Sequence, residues 1–110
     1  LLEDWKKCIT AIGAVSNYSE SPRPVALCIY DSLVSFARCH APIFQDEAAA
    51  SSFAGSFSRY HGMLRSQLAQ PLRKFCQSDF AASFLAESLL TWTMAGKPFD
   101  EIYGMMEKLF

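Results

Sequence analysis

Residues 53–75, FAGSFSRYHGMLRSQLAQPLRKF, carry the pattern that decides the fold. At roughly 100° per residue, their large apolar side chains fall within about 120° of arc on one face of a helix. Polar residues between them, such as Arg59, Ser66 and Arg73, fall outside that arc. The stretch therefore predicts a long amphipathic helix as the organising element of an all-α fold. Its apolar face consists of Phe53, Phe57, Tyr60, Leu64, Leu68, Leu72 and Phe75.

This helix is predicted to be the third in the chain and to span residues 46–77. It begins near Asp46 and Glu47, because acidic residues favour a helix N-terminus. Pro71 lies inside it, where proline removes one backbone hydrogen bond and crowds the preceding turn. We therefore expect Pro71 to bend the helix or to split it in two. The continuous apolar phase on both sides of Pro71 favours a bend.

Two shorter amphipathic helices are predicted before the third, over residues 2–15 and 24–39. Residues 17–24, NYSESPRP, form a predicted loop between them, because two prolines and several polar residues disfavour a helix. Pro24 can occupy the first turn of the second helix, where a missing N–H costs nothing. Pro42 is expected to stop that helix.

A fourth helix is predicted over residues 80–95, with Asp79 as its N-cap and Gly96 as its C-terminal signal. Its large apolar residues point in every direction and Glu87 is its one charge, so we expect it to be buried on all sides at the centre of the fold. Pro98 begins a fifth helix. The sequence thus predicts a compact all-α bundle of about five helices.

The composition indicates one folded domain in which some apolar side chains remain at the surface. The chain has 110 residues, of which 51% are hydrophobic and 19% are charged, against about 25% charged in an average soluble domain. Because the chain begins at Leu1 and ends at Phe110, we expect it to be excised from a longer protein. A contiguous exposed apolar patch usually marks a partner site.

Charge and hydropathy limit the partners that the sequence predicts. The net charge of −1 produces no long-range field that would recruit nucleic acid or an anionic membrane to the whole protein. No apolar run approaches the length of about 18 residues that a transmembrane helix needs. We therefore expect a protein partner, with peripheral membrane contact as an alternative.

The four cysteines, Cys8, Cys28, Cys39 and Cys76, admit two interpretations. The favoured one is buried free thiols in an intracellular, cytoplasmic protein. The other is disulfides in a secreted protein, which the glycosylation sequon at Asn17 would suit. Cys28 and Cys39 share one predicted helix at a separation of roughly 16 Å along its axis, so they cannot bridge each other.

No motif predicts catalysis, a cofactor or a metal. Zinc sites need two ligand pairs, whereas Cys39 and His40 have no second pair to complete one. Cys39 or Cys76 could face His61, but any chain with these residue counts offers such a pairing. A glycine-rich phosphate loop is missing from the sequence. We therefore expect a protein that is not an enzyme and that binds no cofactor.

The third helix is locally basic, because no acid lies between Glu47 and Asp79. The favoured interpretation is a solvated face balanced by acids of neighbouring helices. The alternative is a site for phosphate or an anionic membrane. Glu87 lies in the most apolar segment, where a carboxylate needs a partner such as Arg59 or Arg73, or takes up a proton. The basic strip consists of Arg59, Arg65, Arg73 and Lys74.

Two local stretches resemble known helical families. Residues 60–79 are similar to a helix of BAR-type membrane-curving domains, which implies long helices in a curved dimer. Residues 92–109 resemble the helix–turn–helix of oomycete WY-type effectors. Each stretch covers less than a fifth of the chain. Neither resemblance is enough to assign the chain to a family.

The predicted function is a non-catalytic helical module for protein–protein interaction, as an adaptor, a scaffold or an oligomerisation unit. It would bind a helix of another protein or a second copy of itself. The alternatives are the phosphate- or membrane-binding domain and a secreted, disulfide-bonded effector or cytokine-like bundle. The predicted partner-binding residues are the terminal apolar ones most expected to remain once the core is filled, although core packing is the favoured role for each of them taken singly: Trp5, Tyr103, Met105, Met106 and Phe110.

Overall fold

Five α-helices account for most of the chain that the computed structural model describes, which is residues 2–39 and 62–110. No β-strand occurs within these two ranges, so the predicted all-α bundle is confirmed. None of these helices has a stretch long and apolar enough to cross a bilayer. The helices are α1 (Leu2–Tyr18), α2 (Pro22–Cys39), α3 (62–72, its described part), α4 (Asp79–Met94) and α5 (Phe99–Met106).

The first two helices form a hairpin with a shorter connection than the sequence predicted. α1 continues to Tyr18, and the Ser19 N–H donates to the Val15 carbonyl at 3.0 Å. α2 begins at Pro22, so the predicted loop over 17–24 is wrong at both ends. The physical reason is that N–H groups of a first helical turn have no partner within the helix, so proline is tolerated there and Pro22 and Pro24 begin a helix instead of preventing one.

Helix α3 passes through Pro71 and ends one residue later. The α-helix reaches residue 72 and tightens into a 3₁₀ turn over Arg73–Phe75. The helix is therefore not split at Pro71, but its predicted extension to residue 77 is wrong. Proline has no N–H to donate to the carbonyl four residues earlier, and a 3₁₀ turn commonly follows such a weakened end. The predicted start of the helix at residue 46 lies outside the described residues.

The predicted apolar face of the third helix is confirmed where the structure describes it. Leu64, Leu68 and Leu72 are buried in the core, and Phe75 packs against it. The three other members of that face, Phe53, Phe57 and Tyr60, lie outside the described residues.

The two ends of α4 are fixed by local hydrogen bonds, to a serine side chain at the start and between backbone groups at the end. Ser78, not Asp79, is the N-cap, because its hydroxyl oxygen accepts from the Ala81 N–H at 3.1 Å. At the other end, the Gly96 N–H donates to Thr93 and the Lys97 N–H to Trp92, which is the hydrogen-bond pattern of a Schellman motif. Gly96 has a φ of 84°, as its predicted role as a C-terminal signal requires.

Substituting two glycines with alanine should change stability in opposite directions. We expect Gly96→Ala to lower the free energy of unfolding by about 1 kcal/mol, because its backbone is left-handed. Gly104→Ala, inside α5, should raise it by about 0.5–1 kcal/mol, since alanine is the better helix former. Neither added methyl group would meet an atom within 4 Å, so backbone conformation decides both signs. Urea unfolding measures both, and a stabilising Gly96→Ala would contradict the assigned end of α4.

The core is built where α4 meets the other helices, but α4 is not buried all round. It packs against α2 and α5, with α1 against α2 and α2 against α5. The buried face of α4 consists of Ala82, Leu85, Ala86, Leu89, Leu90 and Thr93. On its opposite side Phe80 and Phe84 are exposed, at 81% and 51%. The prediction of a helix enclosed on every side is therefore wrong, because the packed helices of the described chain cover one side of α4.

Candidate functional site

Three of the five predicted partner-binding residues belong to the core. Trp5 is only 4% exposed, and its indole Nε1–H donates to Gln67 Oε1 at 2.7 Å, which ties α1 to α3. Tyr103 and Met106 are buried on the inner face of α5. Their burial contradicts a place at the surface and agrees with core packing, the role favoured for each of them singly, because each lies where a terminal helix meets the rest of the bundle. Met105 is exposed and Phe110 is half-buried, so a partner role stays a prediction for them.

Tyr103 and Phe110 belong to a row of five aromatic rings along the α5 side of the bundle. The centroid distances along the row are 5.5 Å from Tyr30 to Phe99, 5.6 Å from Phe99 to Tyr103, 6.3 Å from Tyr103 to Phe110, and 6.5 Å from Phe110 to Phe75. All lie in the range over which aromatic pairs attract. The row joins α5 and the C-terminal end to α2 and to the 3₁₀ turn after α3. These five rings therefore help to pack the described helices against one another.

The guanidinium group of Arg23 lies over two rings of this aromatic row. The guanidinium carbon of Arg23 lies 5.0 Å from the Tyr103 ring centroid and 5.3 Å from that of Phe99. Arg23 also forms an exposed ion pair with Asp100 at 3.1 Å. Burial raises the pKa of Tyr103 above its ordinary value of 10.0; Glu107 adds to this, and Arg23 opposes it. The folded protein therefore favours the neutral phenol.

This raised pKa predicts a loss of stability in alkali that depends on Tyr103. The unfolded chain releases the phenol proton near pH 10.0 while the folded chain still holds it. The contribution of Tyr103 is thus complete below pH 10.0 and is lost as the pH rises towards the higher folded pKa. We expect the unfolding free energy of the wild type, minus that of Tyr103→Phe, to fall above pH 10.0. Other titrating groups cancel in this difference, and a difference that stayed constant with pH would contradict it.

The predicted basic strip is divided among separate contacts. Arg65 Nη1 lies 3.1 Å from Glu87 Oε2, and Arg73 Nη2 lies 2.6 Å from Asp79 Oδ1. Lys74 donates to the Ser16 backbone carbonyl. Arg59 lies outside the described residues. Phosphate or an anionic membrane would have to compete with these contacts for each described cation of the strip.

Glu87 pairs with Arg65, a cation that the sequence did not single out for it, whereas Arg59, one of the two suggested partners, lies outside the described residues. Arg73, the other suggested partner, pairs with Asp79 instead. The reason is that α3 and α4 run antiparallel, which places the earlier cation of α3 beside the later acid of α4. One acid of α4 thus pairs with a cation of α3, and the other with a cation of the 3₁₀ turn that follows α3.

The described thiols lack the environment of a nucleophile. Cys8, Cys28 and Cys76 are free and half-buried. Burial raises the pKa of the Cys28 and Cys76 thiols above their ordinary value of 9.0. A thiol held neutral in this way is a weak nucleophile at neutral pH. The side chains of Cys39, His40 and His61 lie outside the described residues, and so does any pairing among them.

Two of the clefts between the described helices have α1 as one wall. One of about 290 Å³, between α1 and α3, has Gly13 and Ile12 on its lining and Gln67 at its edge. The other, of about 540 Å³, lies between α1 and α2 and is lined by Cys8, Cys28 and other residues. Within the described ranges, no three His, Cys, Asp or Glu side chains gather as a metal site would require. Asn17, in the sequon, is exposed in the last turn of α1.

The most distinctive exposed feature is a pair of phenylalanines on α4, which we call the α4 aromatic face. Phe80 and Phe84 are four residues apart, so their rings are neighbours on one side of the helix. Thr91 and Ser88 continue that side without adding charge. The only charged residues of α4, Asp79 and Glu87, are both held in ion pairs. The α4 aromatic face is therefore an apolar pair of rings, and Glu87, seven residues after Phe80 and three after Phe84, lies beside it on the same side of the helix, paired with Arg65.

Sequence reasoning missed this face, although a signal for it is present. α4 is apolar all round, so its hydrophobic pattern alone does not distinguish a buried side from an exposed one. The segregation of residue types does: Ala82, Leu85 and Leu89 lie on the buried side, and both phenylalanines on the other. Met105 and Leu109 form a second exposed pair with the same spacing, at the end of α5.

No family model, curated protein or solved structure matches the chain.

Proposed function

We propose that this chain is a non-catalytic protein-binding module whose docking surface is the α4 aromatic face. The observation that carries the proposal is the exposure of Phe80 and Phe84, at 81% and 51%, side by side on one helix. Each Å² of apolar surface removed from water contributes about 25 cal/mol, so covering these rings favours association. Aromatic residues, phenylalanine among them, are enriched in protein interfaces relative to the rest of the protein surface.

The surroundings of the face favour an apolar protein surface over a charged ligand. α4 carries no Lys, Arg or His to bind a phosphate or a nucleic acid, and its two acids, Asp79 and Glu87, already pair with Arg73 and Arg65. Phenylalanine side chains also offer no hydrogen bond to orient a small polar substrate. A partner helix or groove with its own apolar side chains matches this chemistry best.

A capture experiment tests the proposal with a pair of matched variants. The double substitution F80S/F84S removes the α4 aromatic face, whereas M105S/L109S removes an exposed apolar pair of the same spacing from the end of α5. We expect the wild type and M105S/L109S to recover the same bound protein from an extract of the source cells. F80S/F84S should lose it, with an unchanged helical circular dichroism spectrum.

Two outcomes would overturn the proposal. One is a bound protein that F80S/F84S retains as well as the wild type does. The other is the absence of any bound protein, including a second copy of the chain, at any concentration tested. Binding that weakens steeply with salt and is unaffected by F80S/F84S would indicate the phosphate or membrane alternative instead.

A further inference from the structure

Ser21, in the connection between α1 and α2, is followed by a proline and an arginine. The connection spans residues 19–21, and the sequence Ser21-Pro22-Arg23 runs from it into the first turn of α2. The side chains of Ser21 and Arg23 are both exposed. We infer that Ser21 is a phosphorylation site for a proline-directed protein kinase, and that the phosphate added there competes with Asp100 for the Arg23 guanidinium. This site lies on a different element from the α4 aromatic face and does not depend on the proposed function.

The proline after Ser21 makes this serine unique in the chain as an acceptor for such a kinase. Proline-directed kinases phosphorylate a serine or threonine that a proline follows. Of the five prolines in the sequence, Pro22 alone has a serine or threonine before it. A proline also restricts the preceding residue to extended backbone, which is the form in which kinases bind the acceptor. Ser19, in the same connection, is half-buried and is followed by Glu20.

The first turn of α2 can open for a kinase without disturbing the core. Kinases bind a few residues on each side of the acceptor serine in extended form, so this turn has to leave the helix. Pro24 is exposed and Pro22 half-buried, whereas Val25 is the first core residue of α2. Neither proline has an N–H whose hydrogen bond could be lost. Opening also breaks the ion pair between Arg23 and α5, and exposed ion pairs contribute little to stability.

The modification is a phosphoryl transfer from ATP. The hydroxyl oxygen of Ser21 bonds to the γ-phosphorus as the bond from that phosphorus to the bridging oxygen of ADP breaks, and ADP leaves with the electron pair. The hydroxyl proton passes to the catalytic base of the kinase. The product carries a charge of about −1.5 to −2 at neutral pH, where the hydroxyl carried none.

Arg23, two residues after Ser21, is the cation nearest to this new charge along the chain. Its Nη2 donates to Asp100 Oδ1 at 3.1 Å, and exposures of 54% and 89% leave the pair open to a competing anion. A phosphate offers the guanidinium a bidentate partner with more charge than one carboxylate has. α2 also has no acid in its first turn, where the helix dipole favours negative charge. We therefore expect the phosphate to draw Arg23 away from Asp100 and from the Phe99 and Tyr103 rings over which it lies.

Incubation of the folded chain with a purified proline-directed kinase and ATP tests the site, with mass spectrometry as the readout. We expect one phosphoryl group per chain, located at Ser21, in the wild type and in Ser19→Ala. Pro22→Ala keeps the acceptor hydroxyl but removes the residue that the kinase recognises, so it should lose most of the incorporation. A peptide of residues 14–28 is the positive control for the kinase.

Nuclear magnetic resonance of the phosphorylated chain tests the competition for Arg23. The ring protons of Phe99 and Tyr103 should shift on phosphorylation of the wild type. Arg23→Gln keeps Ser21 and its proline, so it should be phosphorylated without these shifts. Unchanged ring protons in the wild type, or equal shifts in Arg23→Gln, would overturn the competition.

Two further results would overturn the phosphorylation site itself. One is incorporation at another residue, or none into the folded chain under conditions that phosphorylate the peptide. The other comes from the source cells, from which protein recovered with phosphatase inhibitors should carry the phosphoryl group at Ser21. An unmodified Ser21 under every growth condition tested would contradict the inference.

Discussion

Trp5→Ala should lower the free energy of unfolding by about 3–5 kcal/mol, a large share of the roughly 5–15 kcal/mol that stabilises a typical domain. The indole is buried among the core residues and is hydrogen-bonded to Gln67. Its removal therefore leaves a cavity and an amide oxygen that loses the indole as a donor. Urea unfolding followed by far-ultraviolet circular dichroism measures the loss without relying on the fluorescence of the altered tryptophan.

The conservative substitution Trp5→Phe separates packing from hydrogen bonding. Phenylalanine keeps a ring in the site but has no N–H for Gln67, so we expect a loss of about 1–2 kcal/mol. A Trp5→Ala variant within about 0.5 kcal/mol of the wild type would contradict the core role, because that range is typical of surface substitutions. Such a result would restore Trp5 as a candidate contact residue.

Leu89→Ala should cost about 2–5 kcal/mol, whereas Phe84→Ala in the same helix should cost no more than about half as much, because half of its side chain is already in solvent. Leu89 is fully buried on the inner side of α4, so alanine leaves a cavity among the packed helices. Phe84 is half exposed on the outer side, and its removal leaves the core intact. The contrast between these two substitutions measures directly how different the two sides of α4 are.

The unfolding measurements for this pair should be made on dilute protein, so that self-association does not contribute to the stability of the wild type. Equal losses for Leu89→Ala and Phe84→Ala would contradict the assignment of two sides. They would indicate that Phe84 is covered within its own chain.

Local patterns in the sequence were sufficient for much of the fold. The spacing of Leu64, Leu68 and Leu72 identified the buried side of α3, because α3 has polar residues on its other side. Gly96 was correctly placed at the end of α4, since a left-handed residue at that position has a strong glycine preference. These successes depend on interactions within one or two turns of helix.

The errors arise where a residue's environment depends on distant parts of the chain. Trp5 was expected at the surface because it lies near a terminus, but Gln67, 62 residues later, encloses it. Arg65 was not among the partners suggested for Glu87, because the sequence alone does not show which turn of α3 lies opposite which turn of α4. The aromatic row was not predicted for the same reason, since it joins Tyr30, Phe75 and Phe99 from distant parts of the chain.

The candidate site was the feature least accessible from the sequence. A helix that is apolar all round can be enclosed or can expose one side, and only the positions of its neighbours decide which. For α4 those neighbours cover Leu85 and Leu89 and leave Phe80 and Phe84 exposed. The sequence analysis placed the exposed apolar side chains on the terminal helices, whereas the described structure has them on α4 as well as at the end of α5.

Paramagnetic relaxation by a neutral, water-soluble gadolinium chelate tests most directly whether α4 presents two phenylalanines to solvent. On dilute, monomeric protein, the ring protons of Phe80 and Phe84 should relax much faster on addition of the chelate than the methyl protons of Leu85 and Leu89. Ring protons that are as well protected as those methyl groups would contradict an exposed docking surface on α4.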